Sequence, residues 1–467
     1  MLLDYTVDDV AGLLAYGSYV PHHRLQRSAI ASALGSGGGK GTRAVASYDE
    51  DTTSMAVAAA RAAMRVAPVR PDALYFATTE PAYIDKTNAT VVHAVLGLDG
   101  SALAVDMNGS VRSGVGAFLA GLAAPRPVLT VLSDLRSGRP GSADERDGGD
   151  AAAAFLWGDG PAVADVLAVA SATEEFLDRW RLPGAPYSRV WEERFGENVY
   201  LPLAHAALAD VLKQAGIAQQ DVQHGIVTGT HARAVSRFAR ESGLPLGDDL
   251  LGTVGNSGAA HFGLLLADVL DRAAPGELIA LTVLADGATS IVLRTTDRQR
   301  PGVTVREQIA AGSDALPYTT YLTWRGLLDR EAPRRPDPDA PAAPPSLRNE
   351  RWKYAFVGAE CAVCRSRHLP PSRVCLHCGE VDRMSPAPMA DVPATVTTYT
   401  IDRLAYSPSP PLVGAVLDFD GGGRFRCQLT DVSPDAVAVG DRVEMTFRRM
   451  STARGIHNYF WKGRPAR

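Results

Sequence analysis

The first 360 residues of this 467-residue chain contain no cysteine; all five, Cys361, Cys364, Cys375, Cys378 and Cys427, come later. A thiolate nucleophile is therefore excluded from most of the sequence. Long apolar runs are missing as well: none approaches the ~18 residues of a membrane-spanning helix, so no membrane partner is expected. The opening stretch MLLDYTVDDVAGLLAYG is acidic and lacks the basic n-region and apolar core of a secretory signal. That points to a cytoplasmic location. Excess charge of either sign is absent too: 47 Lys and Arg against 52 Asp and Glu leave a net −5. Such a balance carries no footprint for nucleic acid or an anionic membrane.

What is present divides by composition. The length predicts two or three domains. Up to about residue 300, apolar strand-like runs (DALYFATT, PVLTVLS) alternate with alanine-rich helical segments (SMAVAAARAAMRV, LAHAALADVLKQAG), the pattern of a layered α/β domain. The stretch REAPRRPDPDAPAAPPS (330–346) is rich in proline and charge and reads as an exposed linker. After it come a cysteine-rich segment and a tail with closely spaced Gly, Pro and Asp turn signals, which predicts a small barrel.

The α/β region also repeats itself. VRSGVGAFLAGLA followed by VLTVLS parallels GNSGAAHFGLLLADVL followed by ELIALTVLADGATSIVLR, which pairs Ser113-Gly114 with Ser257-Gly258. Upstream, RPDALYFATTEPAY parallels QQDVQHGIVTGTHARAV. Duplicated α/β halves place ligands where their strand ends converge.

CAVCRSRHLPPSRVCLHC has the spacing C-x2-C-x10-C-x2-C. Each C-x2-C pair can form a knuckle with its thiolates on adjacent corners of a tetrahedron, and two pairs close a four-sulfur zinc site. Cys361, Cys364, Cys375 and Cys378 are thus the expected ligands of a structural zinc, with His368 and His377 as loop residues outside the ligand set. Cys427, in GRFRCQLT, reads as a buried strand cysteine.

VDMNGSVRSGVGAF (105–118) reads as a strand end running into a crowded helix start. Nucleophiles are often placed at such turns, because a helix N-terminus stabilises developing negative charge. Its centre offers Val111 between Ser110 and Ser113. Serine without an adjacent base is a weak nucleophile, and small residues at a tight helix start account for both.

These residues carry two resemblances that together span nearly the whole chain. GLLAYGSYVPHHRL near the start, YDEDTTSMAVAAARAAM (48–64), TTEPAYIDKTNATVVHAVLG (78–97) and VGNSGAAHFGLLLADVLD (254–271) resemble the 3-hydroxy-3-methylglutaryl-CoA synthase family of the thiolase superfold. LPPSRVCLHCG, PATVTTYTI, PPLVGAVLDFDGGGRFRCQLTD and VGDRVEMTF are similar to the thiolase-associated zinc-ribbon/OB-fold family. The implied fold is α/β: a duplicated thiolase-type α/β/α/β/α domain, then a small zinc ribbon and an all-β OB-fold barrel. The implied boundaries are 1–165 and 166–328 for the two halves, 329–349 for the linker, 350–385 for the ribbon and 386–467 for the barrel. A homodimer is implied too, as is an acyl-CoA or other acyl thioester as substrate and a thiolase-like protein as possible partner.

Residue by residue, the resemblance places Glu80 at the family's general acid/base and Asn256 at its cleft asparagine, a position that also suits a helix N-cap. The family's nucleophilic cysteine falls on Val111, which cannot form an acyl-enzyme. Counting from Asp221, the family's histidine falls on Thr228; His231 lies three residues on and takes its place if the loop shifts. His224 and His261 read as surface and helix residues. The expectation is carbon–carbon bond formation or cleavage on a CoA thioester without an acyl-cysteine, using Glu80, Asn256 and backbone amides near Val111 and Gly287, with Tyr83 as a possible aid. The alternatives are a non-catalytic acyl-CoA-binding or scaffold subunit, and an acyltransferase with a non-cysteine mechanism.

Overall fold

The computed structural model describes residues 11–298, 302–331 and 339–466. They fall into two compact units, one of residues 11–46, 58–90 and 99–318, the other of 47–57, 91–98 and the described residues from 319 onward. Of the proline-rich linker, 332–338 lie outside the described residues.

The first unit is built on nine strands: β1 (Gly12–Tyr19), β2 (Ala73–Ala77), β3 (Leu103–Asp106), β4 (Val128–Leu135), β5 (Asp150–Gly158), β6 (Ala164–Ala172), β7 (His224–Gly229), β8 (Leu278–Leu284) and β9 (Ala288–Thr295). Their order is β7-β8-β9-β6-β1-β5-β4-β2-β3. The expected repeat is visible in it. In the first half β2 and β4 pair parallel, β4 and β5 antiparallel, β5 and β1 antiparallel. In the second half β7 and β8 pair parallel, β8 and β9 antiparallel, β9 and β6 antiparallel. Between β1 and β6 only Leu13 and Ala164 pair, so the two halves are almost separate sheets.

Helices supply the layers. The alanine-rich helix α1 (Thr52–Val66) lies on β1 at Gly17, where a Cβ would stand 2.4 Å from the Ala63 nitrogen. Helices α2 (Val111–Leu122) and α5 (His261–Leu270) share one core with strands of both halves. Every residue of α5 is buried, including Asp268, which pairs with Arg306. Phe118 sits edge-on to Phe155, Trp157 and Phe262 at the centre. Helix α3 (Glu193–Ala215) covers the other face of the second half, beside α4 (Ala232–Glu241). The repeated small residues are explained by contact: a Cβ on Gly114 would lie 2.8 Å from the Ala259 carbonyl oxygen, where the two paired helix starts meet.

The second unit holds a three-stranded ribbon, β10 (Val357–Cys361), β11 (Arg367–His368) and β12 (Met384–Pro388), in the order β11-β10-β12. A closed barrel follows: β13 (Ala394–Asp402), β14 (Leu412–Phe419), β15 (Arg424–Leu429), β16 (Arg442–Ala453) and β17 (Ile456–Pro465), ordered β13-β14-β15-β17-β16. Two local readings change. His368, expected in a loop, lies on β11 and is buried, because β11 pairs with β10 through Ala359. Within the linker, Ala343–Arg348 forms a helix with no buried residue; proline at its first turn costs no hydrogen bond.

Residues 47–57 group with the barrel for a physical reason. Asp49 is fully buried, 2.9 Å from Lys462 Nζ and 3.7 Å from Arg448 Nη1, and it accepts from Thr430 Oγ1 at 3.0 Å. Arg448 also pairs with Glu50 and, at 2.8 Å, with Asp431. Tyr459 donates its hydroxyl to Asp51 at 2.7 Å. Cys427 lies on β15, where burial pushes its thiol up to about 12.

Candidate active site and cysteine cluster

Both strand-to-helix turns of the first unit are well formed. Val111 opens α2 and is 8 % exposed. The hydroxyls beside it serve the turn: Ser110 N–H donates to Ser113 Oγ at 3.4 Å, and Ser113 Oγ donates to the Asn108 carbonyl at 3.2 Å. Asp106, at the end of β3, accepts from the Asn88 and Ala89 amides at 2.7 Å each, anchoring the neighbouring helix start. Tyr83 belongs to that anchor: its N–H donates to Asn88 Oδ1 and its carbonyl accepts from Asn88 Nδ2.

Glu80 follows β2 with its side chain 47 % exposed, and Arg181 grips it, pairing with the carboxylate and donating to the Thr79 carbonyl. Beneath lies Asp134, fully buried on β4. It accepts from the Thr79 amide at 3.1 Å, from Thr79 Oγ1 at 2.8 Å and, across the pseudo-repeat, from the Ala259 amide at 3.0 Å. Burial pushes the Asp134 carboxyl up, and Arg136 with these donors pulls it back.

A cavity of about 610 Å³ opens in the first unit, lined by residues of both halves, Thr228, His231, Asn256, Asp178, Arg136 and His261 among them. It brings together two of the four expected site residues, His231 and Asn256; Glu80 and Val111 are not in its lining. Thr228 is still inside β7, paired opposite Val283. His231 is the residue at the turn, the N-cap of α4, with Nδ1 accepting from the Ala234 amide at 3.0 Å. Because Nδ1 accepts, the neutral ring carries its proton on Nε2, which stands 3.9 Å from Asp178 Oδ1. Both side chains are buried, and neither of these two atoms has a hydrogen-bond partner among the described residues.

The pocket around this pair is tight. A Cβ on Gly196 would come within 2.5 Å of Asp178 Oδ1 and 2.7 Å of His231 Nε2. Burial pushes the Asp178 carboxyl up, opposed by His231 and Arg179 and reinforced by Asp286. Tyr200 packs on the His231 ring at 5.8 Å, and its phenol, raised by burial and by Asp178, stays protonated while accepting from the Asp286 amide at 3.2 Å. Asn256 is held at both ends: Nδ2 donates to the Gly229 carbonyl at 2.8 Å and Oδ1 accepts from the Gly258 amide at 2.9 Å. His261 begins α5, and burial lowers its imidazole to about 4, so it is neutral. His224 begins β7 and meets Glu277 at 2.7 Å.

Sequence reading missed Asp134, Asp178 and Arg181. Asp134 directly follows the VLTVLS run, so its strand-end position was a usable signal. Asp178 and Arg181 lie in a segment without periodicity, and only the fold brings them to His231 and Glu80.

In the second unit the four expected sulfurs converge, all within 4.8 Å of one another. Cys361 and Cys378 are 3.7 Å apart, Cys364 and Cys375 3.4 Å. A tetrahedral zinc with Zn–S bonds of about 2.3 Å requires sulfurs about 3.8 Å apart, so the residues fit. The two knuckles match: Arg365 N–H donates to the Cys361 carbonyl at 3.0 Å and Gly379 N–H to the Cys375 carbonyl at 2.9 Å. Each donor sits at positive φ, 64° and 76°. No helix among the described residues is long and apolar enough to cross a membrane.

The first unit is an α/β domain with the fold of known condensing enzymes, and the second holds a cysteine ribbon and a closed barrel. The first two thirds of the chain is similar to hydroxymethylglutaryl-CoA synthases. The enzyme of that name from Pyrobaculum aerophilum is 28% identical over 342 residues, which cover 68% of this chain and 98% of that protein. Residues 388–448 match the family model of the C-terminal OB-fold domain of ChsH2. Among solved structures, the 3-oxoacyl-(acyl carrier protein) synthase III FabH of Pseudomonas aeruginosa PAO1 is similar in fold. Its TM-score is 0.54 at 23% identity, over 62% of this chain and 99% of that one. An HMG-CoA synthase solved in complex with CoA has a TM-score of 0.50 at 16% identity, over 68% and 87% of the two chains. Both resemblances expected from the sequence are borne out.

Proposed function

We propose that this protein acts on acyl-CoA or related acyl thioesters, forming or breaking a carbon–carbon bond by aldol- or Claisen-type chemistry without an acyl-cysteine. One observation supports the reading: Val111, the position that the resemblance assigns to the nucleophile, opens α2 as a buried apolar residue. Aldol chemistry needs a base, an enolate-stabilising site and an acid, not a covalent carrier. In this reading a base removes the proton next to the thioester carbonyl. The enolate oxygen is held by backbone N–H groups near Val111 and Gly287, the α-carbon attacks an acceptor carbonyl, and the new alkoxide takes a proton. His231, oriented by the Ala234 amide and Asp178, and the carboxylate of Glu80 are the two acid–base groups. Asn256, held by Gly229 and Gly258, keeps the turn in place beside His231.

The hydroxyl of Ser113 is committed to its own turn, which disfavours an acyltransferase with a serine nucleophile. A second reading, a non-catalytic acyl-CoA-binding or scaffold subunit serving a thiolase-like partner, is favoured by the ion pair that engages Glu80 with Arg181. A homodimer is part of the proposal under either reading. So is a structural zinc on Cys361, Cys364, Cys375 and Cys378; with four sulfur ligands it keeps no open position and takes no step in the reaction.

The test is to incubate purified protein with panels of 3-hydroxyacyl- and 3-ketoacyl-CoAs and follow products by mass. Turnover that falls in Glu80→Gln and His231→Gln is expected. No turnover of any thioester, alone or with a thiolase-like partner, would sink the enzyme reading and leave the scaffold.

A further inference from the structure

Both acid–base groups of the proposed function touch the same short stretch of chain. Residues 173–192 run from the end of β6 to the start of α3 with only a short ladder of their own, Arg179 opposite Val190 and Trp180 opposite Arg189. Connections longer than about 12–15 residues with little secondary structure are usually functional. Apolar packing does little to fix this one, since Leu177, Leu182, Val190 and Trp191 are exposed. Its polar side chains fix it instead, at Asp178, Arg179 and Arg181.

Asp178 turns inward to His231, with Oδ1 3.9 Å from Nε2, and its carbonyl accepts from the Trp191 amide at 2.7 Å. Space for that approach is kept by Gly196 on α3, where a Cβ would lie within 2.7 Å of both atoms. Glycine is a poor helix former, and this contact accounts for it there. Arg179 pairs with Asp144 at 2.6 Å on the cavity wall. Arg181 holds the other group. One arm of its guanidinium pairs with the Glu80 carboxylate and the other donates to the Thr79 carbonyl. Thr79 is itself pinned through its amide and hydroxyl by the buried Asp134. Glu80, half-exposed on a long side chain, is thereby tied to a fixed piece of backbone. An ion pair this exposed contributes little to stability. A planar fork that spans a carboxylate and the preceding carbonyl contributes orientation.

We infer that residues 178–181 form a single positioning element for both acid–base groups: Asp178 sets His231, Arg181 sets Glu80, and the Arg179–Asp144 pair anchors the stretch between them. The inference rests on the proposed function and adds Arg181 as a positioning residue for Glu80. It makes the two groups dependent on each other's support, because loosening the anchor displaces both while touching neither.

The experiment follows proton exchange next to the thioester carbonyl, the first step of the proposed reaction, which needs no acceptor. The base takes the proton, and the enolate carbon takes back a deuteron that came from solvent. Full-chain protein is incubated with acetyl-CoA and butyryl-CoA in D2O, and deuterium in the recovered thioester is read by mass. The wild type should catalyse this wash-in. Arg181→Gln should lower its kcat about tenfold or more, as misplaced reacting groups do, with KM changed by less than about twofold. Arg181→Lys should restore part of the loss, and Asp144→Asn, which leaves both acid–base groups in place chemically, should lower kcat as well. An arginine that only ties down the surface would lower the melting temperature of Arg181→Gln and leave kcat unchanged; that result overturns the inference and spares the carbon–carbon reading. A kcat that Asp144→Asn does not move overturns the single element. No exchange in the wild type with either thioester counts against the carbon–carbon reading and takes the inference with it.

Discussion

Two clusters of buried charge, one in each unit, are organised differently. In the barrel unit, Asp49, Glu50, Asp431, Arg448 and Lys462 are sealed from solvent and each meets an opposite charge. In the α/β unit, Asp178 and His231 are equally buried but 3.9 Å apart, and both line a cavity. Closed pairing leaves nothing for a ligand to gain, whereas loose pairing keeps a proton site available to one. Under the proposed function, the difference makes the first cluster structural and puts the second with the chemistry.

Four measurements can break or sharpen that contrast. The largest effect is expected at the cysteines: Cys361→Ser, or chelation of the metal, should abolish the ribbon fold, because structural zinc contributes about 10 kcal/mol or more to such sites. Metal analysis should find a zinc in the wild type and none in the variant, with near-UV dichroism reporting the lost packing.

Next comes Asp49→Ala, which strands buried cations and should destabilise the barrel unit by about 3–5 kcal/mol in denaturant unfolding. Burial raises the Asp49 carboxyl, but Lys462 and then Arg448 overcome it and hold the group below the ordinary carboxylate range. Its stabilising contribution is therefore fully present above about pH 3.9 and is lost as pH falls through the lower folded value. Asp49→Asn should remove that acid-limb dependence. A barrel that unfolds identically in wild type and Asp49→Ala would erase the distinction between the clusters.

His231→Gln should lower turnover of an accepted thioester about a hundredfold with little change in melting temperature. The smallest and most pointed effect belongs to Asp178. Burial raises its carboxyl above the ordinary range, ahead of the opposing pull of His231, so ionised Asp178 costs the folded state stability once pH exceeds its unfolded value. Asp178→Asn should thus raise stability at neutral pH by about 0.5–2 kcal/mol while lowering turnover. A loss of stability would place Asp178 with the closed cluster instead.

Much of the fold was legible because it is locally written. The C-x2-C spacing determines two knuckles whose sulfurs need only one turn of ribbon to converge. The Ser-Gly helix starts announced the close approach at Gly114 and Ala259. The site was legible only at its edges. Val111 is placed by its strand-to-helix turn, but His231 required a loop whose length no periodicity reveals. The acidic run YDED was recognisable as a family-like segment. Its role was not, since Asp49 and Lys462 are 413 residues apart.

By itself the sequence determined the absence of cysteine before residue 361, the ribbon's four converging cysteines and the duplicated strand–helix order, since each depends on residue identity and near spacing. Only the tertiary structure decided which charges are spent and which are free. Whether Asp49 is neutralised and Asp178 left beside His231 depends on what long-range packing brings within about 4 Å, and electrostatic pairing is decided at that distance.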